Sequence, residues 1–171
     1  MTDHASISIR PVDSSDADAV ARIYNHYVTN TIVTFEVEEV NGEEMLRRAR
    51  KVQSDSLPWL VAVDQDEVVG YSYASRWHAR YAYRFSVETT VYLDHGHGGR
   101  GIGSRLYEKL LKLLIEQGMR TAIGGIAIPN AASVALHEKF GYRQTAHYKE
   151  VGFKFDRWID VGYWQLMLDQ T

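Results

Sequence analysis

The chain has 171 residues, 45% of them hydrophobic and 24% charged, with a formal charge of −3 and no cysteine. That is the balance of one ordinary globular domain, and the missing cysteine excludes disulfides, thiolate metal sites and a cysteine nucleophile. The negative sign argues against nucleic acid or an anionic membrane as the main partner. No apolar run approaches the ~20 residues of a membrane span, and Met1 to Arg10 lacks the apolar core of a secretory signal, so a cytoplasmic protein is expected.

In chain order, Ser6 to Arg10 alternates as a strand, and Asp13, Ser14 and Ser15 offer caps to a helix with the stripe Val20, Ile23, Tyr24 and Tyr27. A second helix is predicted from Asn41, with Met45, Leu46, Ala49 and Val52 turned inward. Trp59 to Val63 and Val68 to Ser75 read as a hairpin turning at Gln65-Asp66, and Phe85 to Leu93 as a third, β-branched strand. After a glycine-rich loop, Gly96 to Gly103, a helix runs to about Gln117 on the stripe Ile102, Leu106, Leu110 and Leu113, and Gly118 stops it. Thr121 to Ile128 is a strand, Asn130 caps a helix over Ala131 to Phe140, and Gly141 ends it. Two further strands are predicted over Tyr142 to Val151 and Val161 to Leu168. No internal repeat or linker interrupts this order, and interleaved strands and helices imply a single domain spanning residues 1–171, α/β or α+β, built on one sheet.

The loop is the most informative segment. Gly96, Gly98, Gly99, Gly101 and Gly103 lie between a strand and an amphipathic helix. Glycine lets the backbone approach a ligand closely, and the free N–H groups of a helix start attract a phosphate. A Walker A loop would end in Gly-Lys-Ser/Thr, which is absent. Gly96, Gly98 and Gly101 do fit a dinucleotide fingerprint, but they lie in the second half of the chain, and Glu116 falls mid-helix rather than at a ribose. A turn that binds nothing is the remaining reading of the loop alone.

Gly98-Gly99-Arg100-Gly101-Ile102-Gly103 resembles the Arg/Gln-x-x-Gly-x-Gly/Ala motif of the GNAT superfamily of N-acetyltransferases, with Gly98 at the position of Arg or Gln. Val87 to Leu93, Ile128 to Ser133, Leu136 to Tyr142 and Val151 to Val161 with Trp164-Gln165 are similar to the branch that acetylates phosphinothricin and methionine sulfone or sulfoximine. The resemblance runs from about Ile7 to Leu168. It implies a mixed, mostly antiparallel sheet flanked by helices, with acetyl-CoA in a split between middle strands and no metal. It also implies a homodimer. None of the seven histidines has the paired helical spacing of a zinc site.

Acetyl transfer to an amine requires a proton acceptor, a polarised thioester and a protonated leaving thiolate. If Val87, Thr89, Val91 and Leu93 form one face of their strand, Glu88, Thr90 and Tyr92 share the other. Glu88 is then the candidate base, directly or through water; a surface salt bridge is its plainer reading. The resemblance assigns cofactor contacts to Val91, Tyr92, Leu93, Gly99, Arg100, Gly101, Ile102, Gly103 and Ser104, and to Asn130 and Ser133 beside the pantetheine. Asn130, Ser133 and His137 share one helix face. His137 stands where many relatives have a Tyr that protonates the thiolate, and an imidazolium near pKa 6.5 could do the same; the alternative is a packing histidine.

Ser75 to Arg84 is dense in cations and aromatics, a composition suited to a carboxylate or phosphinate. Within it the resemblance selects Arg80 and Tyr83 for the acceptor; Thr90 beside Glu88 joins them, and Phe35, Lys154 and Val161 complete the pocket, within one chain or across a dimer. The expected reaction is direct attack of the α-amino group of a small amino-acid-like acceptor on acetyl-CoA in a ternary complex. A peptide N-terminus or an aminoglycoside is the rival acceptor, and a non-catalytic acyl-CoA-binding module the rival class.

Overall fold

A computed structural model describes residues 7–168. Ser6, the first residue of the predicted opening strand, lies outside them. Four α-helices and seven strands follow one another as β1 (Ser8–Pro11), α1 (Ala17–Asn30), α2 (Gly42–Ser54), β2 (Trp59–Asp64), β3 (Glu67–Arg76), β4 (Ser86–Leu93), α3 (Ile102–Glu116), β5 (Thr121–Ile128), α4 (Ala131–Lys139), β6 (Arg143–Lys154) and β7 (Arg157–Met167). The strands form one sheet in the order β1-β2-β3-β4-β5-β7-β6. All neighbours are antiparallel except β4 and β5, the mixed, mostly antiparallel α+β sheet that the resemblance implied.

Capping side chains start α2, α4 and the turn that leads into α1. Asp13 accepts the Ser15 N–H and starts a 3-10 turn, Ser14–Asp16, that leads into α1. Asn41 accepts the Glu44 N–H at the start of α2, and Asn130 the Ser133 N–H at the start of α4. The β2–β3 turn falls at Gln65 and Asp66, both at positive φ, as a two-residue hairpin of this twist requires.

Central strands are covered on both faces. Tyr71 and Tyr92 are cross-strand partners whose rings lie on the α1 side, where Tyr92 meets Tyr24 and Tyr27. On the opposite face Thr89 reaches Tyr107 of α3, so the alternation read for β4 is the observed one. The buried stripe of α3 is Ile102, Leu106, Leu110 and Leu114. Leu113, expected in that stripe, is only partly buried, because four-residue steps keep the later turns on the sheet side.

The C-terminal hairpin departs from expectation. Its strands run on to Lys154 and start again at Arg157, where a break across residues 152–160 was predicted. The turn is Phe155-Asp156, both left-handed, and an aromatic residue gives no signal for such a turn. Glu150, also at positive φ, lies in an irregularity between Tyr148 and Gly152 that re-registers β6 on β7. Among the described residues no helix is long and apolar enough to cross a membrane.

Candidate active site

The decisive feature of the sheet is how briefly β4 and β5 pair. Ser86, Val87 and Glu88 face Thr121, Ala122 and Ile123, and the ladder ends there. Beyond Glu88 the strands diverge. Backbone groups that would have been paired in a longer ladder are thereby available to a ligand's amides.

Two cavities meet in this split. One, of about 310 Å³, is lined by Glu88 to Tyr92, by Gly125 to Ala127 of β5, and by Tyr107, Asn130, Ser133, His137, Val161 and Tyr163. Val33, Thr34 and Phe35 of the α1–α2 loop close one side of it. The other, of about 340 Å³, runs past Leu93 to Gly96, Gly98 and Gly103. Val33, Val91, Asn130 and Ser133 line both, so a continuous slot leads from the glycine loop to Glu88.

At the loop end, Gly96, Gly99 and Gly101 adopt positive φ, and an added Cβ would meet nothing within 4 Å at any of them. Gly101 is the N-cap of α3 and carries no side chain to cap it. The first N–H groups of the helix, at Ile102, Gly103 and Ser104, are thus left for an anion at the positive end of the helix dipole. Arg100 is different: its guanidinium turns back to Asp64 at 2.9 Å, which leaves its backbone as the part that can serve a ligand.

At the other end, burial raises the Glu88 carboxyl above the usual range, and the nearby His78 partly offsets this. A carboxylate moved towards neutrality is a better proton acceptor than an exposed one. Glycine keeps its side open: a Cβ on Gly125 would come within 3.5 Å of Glu88 Oε1 and 3.1 Å of the Tyr163 ring.

His137 is buried beneath the slot. Its Nδ1 lies 2.7 Å from the Ser133 carbonyl, and Nε2 lies 3.0 Å from the Tyr107 hydroxyl. A carbonyl only accepts, so Nδ1 carries the proton and Nε2 accepts from Tyr107. Burial holds the imidazole pKa below its ordinary value, against the raising effect of the Ser133 carbonyl. Burial thus disfavours the imidazolium expected for the leaving thiolate. Tyr107 extends towards Thr89, which bonds Tyr142 at 2.8 Å, a buried polar network that sequence reading missed.

The predicted acceptor residues divide. Phe35, Thr90 and Val161 line the cavity. Arg80 and Tyr83 stand outside the lining, in the exposed β3–β4 connection, where the Tyr83 and His78 rings pack at 4.9 Å. Lys154 is buried, 4% exposed, and donates to the Thr34 carbonyl at 2.8 Å. Desolvation lowers its pKa. Its ammonium holds the loop that carries Thr34 and Phe35, while the Phe35 ring rests where a Cβ on Gly152 would be. Lys154 thus supports the cavity wall.

A slot in a split sheet, an uncapped helix start at one end and a half-buried carboxylate at the other match a known arrangement. Residues 9–162 match the model of the acetyltransferase (GNAT) domain. The chain belongs to the GNAT acetyltransferase family. This acetyltransferase is 41% identical over 159 residues to the phosphinothricin N-acetyltransferase of Streptomyces viridochromogenes, covering 93% of this chain and 86% of that one. It is 34% identical to the L-methionine sulfoximine/L-methionine sulfone acetyltransferase of Salmonella typhimurium, over 96% of each chain. A GNAT superfamily phosphinothricin acetyltransferase from Sinorhizobium meliloti, solved with acetyl-CoA, superposes with a TM-score of 0.93 at 33% identity, over 96% of this chain and 89% of that one. The acetyltransferase accordingly uses acetyl-CoA as its donor, and the slot and the uncapped α3 start fit that donor.

Proposed function

We propose that this enzyme acetylates the α-amino group of a small amino acid with a polar, anionic or tetrahedral end, of the phosphinothricin, methionine sulfone or methionine sulfoximine type. The observation that carries the reading is the place of Glu88. It stands at the last rung of the β4–β5 ladder, where the slot from the glycine loop meets the cavity closed by Phe35 and Thr34. Acetyl-CoA supplies an activated acyl carbon there. Glu88 takes a proton from the bound ammonium, directly or through water, and the freed amine adds to that carbon as the C–S bond breaks and the thiolate is protonated. The backbone N–H groups of Val91 and Leu93, on the side of β4 away from β3, polarise the carbonyl. Asn130 and Ser133 flank the pantetheine path. His137, as a neutral ring, serves the thiolate only through the Tyr107 hydroxyl it holds or after taking up a proton.

Arg80, with Tyr83 beside His78, is our candidate for the acceptor's anionic end, since His78 already acts on Glu88. We further propose a homodimer, in the cytoplasm where the thioester donor is made. Tyr148, Val151, Phe153, Phe155 and Trp158 all lie more than half exposed on the β6–β7 hairpin, and among the described residues β6 is a sheet edge with nothing paired beyond it. Such an apolar edge is the mark of an interface. Trp158→Glu together with Phe153→Glu should convert the dimer to monomers in sedimentation velocity, and a wild-type protein already monomeric would sink the assignment.

The substrate reading is tested by following thiol release with phosphinothricin, methionine sulfoximine, methionine sulfone, a peptide and an aminoglycoside against a blank without amine. Turnover is expected with the first three alone. Turnover with the peptide or aminoglycoside instead would overturn the acceptor class and keep the enzyme class.

A further inference from the structure

From Gly98 to Gly103 the loop carries only two side chains, those of Arg100 and Ile102. Ile102 is buried in the core. Arg100 leaves the loop instead and donates through Nη2 to Asp64 Oδ2 at 2.9 Å. Asp64 is the last residue of β2, 36 positions earlier, and its side chain is 13% exposed. Its other oxygen is buried and has no partner among the described residues, so Arg100 is what compensates the carboxylate. The guanidinium lines neither cavity of the slot. Little else holds this stretch in place. An added Cβ on Gly98, Gly99 or Gly101 would meet nothing within 4 Å, and among the described residues no backbone hydrogen bond begins or ends at Gly98, Gly99 or Arg100.

We propose that Asp64 is a positioning residue for the donor: it tethers the glycine loop through Arg100, and it holds that guanidinium outside the anion site. Glycine loses more conformational freedom on ordering than any other residue, and a ligand that has to order its own site binds more weakly by that cost. The tether fixes the loop before acetyl-CoA arrives, so the N–H groups at the start of α3 already face one way. A pair between two exposed side chains would contribute little; here the carboxylate is mostly buried, at the end of a strand of the sheet. The upstream end of the loop is held separately, by Arg22 of α1 on Asp94 at 3.0 Å. The proposal rests on the assignment of acetyl-CoA to this loop.

The test is calorimetric titration of CoA into wild type, Asp64→Ala, Arg100→Ala and the double variant. Each single change is expected to weaken CoA about tenfold, the scale of one backbone residue left for the ligand to fix. The double variant is expected to bind no more weakly than either single, since one tether can be lost only once. Asp64→Ala should raise the KM for acetyl-CoA by the same factor at an unaltered kcat. In the free protein it should also quicken hydrogen exchange at the amides of Gly98 to Gly103 and not at those of Leu106 to Leu114, which separates a loosened loop from a general loss of stability. Asp64→Asn, which keeps the shape and drops the charge, should weaken CoA as well and serves if the alanine variant does not fold. Unaltered or tighter CoA binding by Asp64→Ala, beside a loss in Arg100→Ala, would show Arg100 acting on the anion by its own charge and overturn the proposal. Losses that add in the double variant would overturn it too, as would wild-type affinity in all three. Failure of wild type to bind CoA would instead defeat the loop as the donor site.

Discussion

Glu88→Gln should lower kcat about 10²- to 10⁴-fold, the usual contribution of a positioned general base, while acetyl-CoA binds as in wild type. Glutamine keeps the shape of the side chain and removes its capacity to take a proton. The pH profile gives a second readout. Burial raises the Glu88 pKa, and the base must be ionised to act. The log of kcat/KM should therefore rise with pH through that raised value and then level off, and the Gln variant should lose this limb. A variant that lost turnover and acetyl-CoA affinity in equal measure would instead favour an acyl-CoA-binding module. Unchanged turnover would remove Glu88 from the chemistry altogether.

Gly124→Ala is expected to destabilise the fold by about 1–3 kcal/mol, the range for overpacking a filled interior, and to impair turnover as well. The added Cβ would collide with the His137 ring, lying 2.6 Å from Cδ2 and closer still to Nε2. Nε2 is the atom that accepts from Tyr107, so moving the ring breaks that bond or the one to the Ser133 carbonyl. Thermal unfolding and steady-state kinetics on the same sample separate the two effects. A stable variant with full activity would show that the ring yields freely and that its place does not matter. A destabilised but fully active one would reduce His137 to packing.

Much of this was legible in the chain. The alternation of Val87 to Leu93 assigned Glu88, Thr90 and Tyr92 to one face because a two-residue period leaves no choice once one face is apolar. The glycines of the loop and the cap at Asn130 were legible for the same kind of reason: each is a local backbone requirement. Lys154 was not. Its aim at the Thr34 carbonyl joins residues 120 positions apart, and only tertiary packing decides it. Tyr107 reads on sequence as one more residue of an amphipathic helix, and its hydroxyl acquires meaning from His137 and Thr89 alone. The adjacent glycines Gly124 and Gly125 did carry a signal, since glycine inside a strand marks a close approach, but not what approaches. The β6–β7 turn was missed because Phe155 occupies a left-handed position that turn residues normally fill.

The position of β7 has a consequence for how the enzyme comes into being. This strand, the last of the seven to be synthesised, does not sit at an edge: it is inserted between β5 and β6 and pairs with both. Until residues 157–167 leave the ribosome, β5 has no second neighbour, β6 has nothing to dock on, and Lys154 and Gly152 cannot brace the loop of Thr34 and Phe35. A nascent chain can already hold the glycine loop and α3, the phosphate end of the slot, while its acceptor wall is still unbuilt. The phosphate end of the slot can therefore assemble while the wall braced by Lys154 and Gly152 still awaits β7.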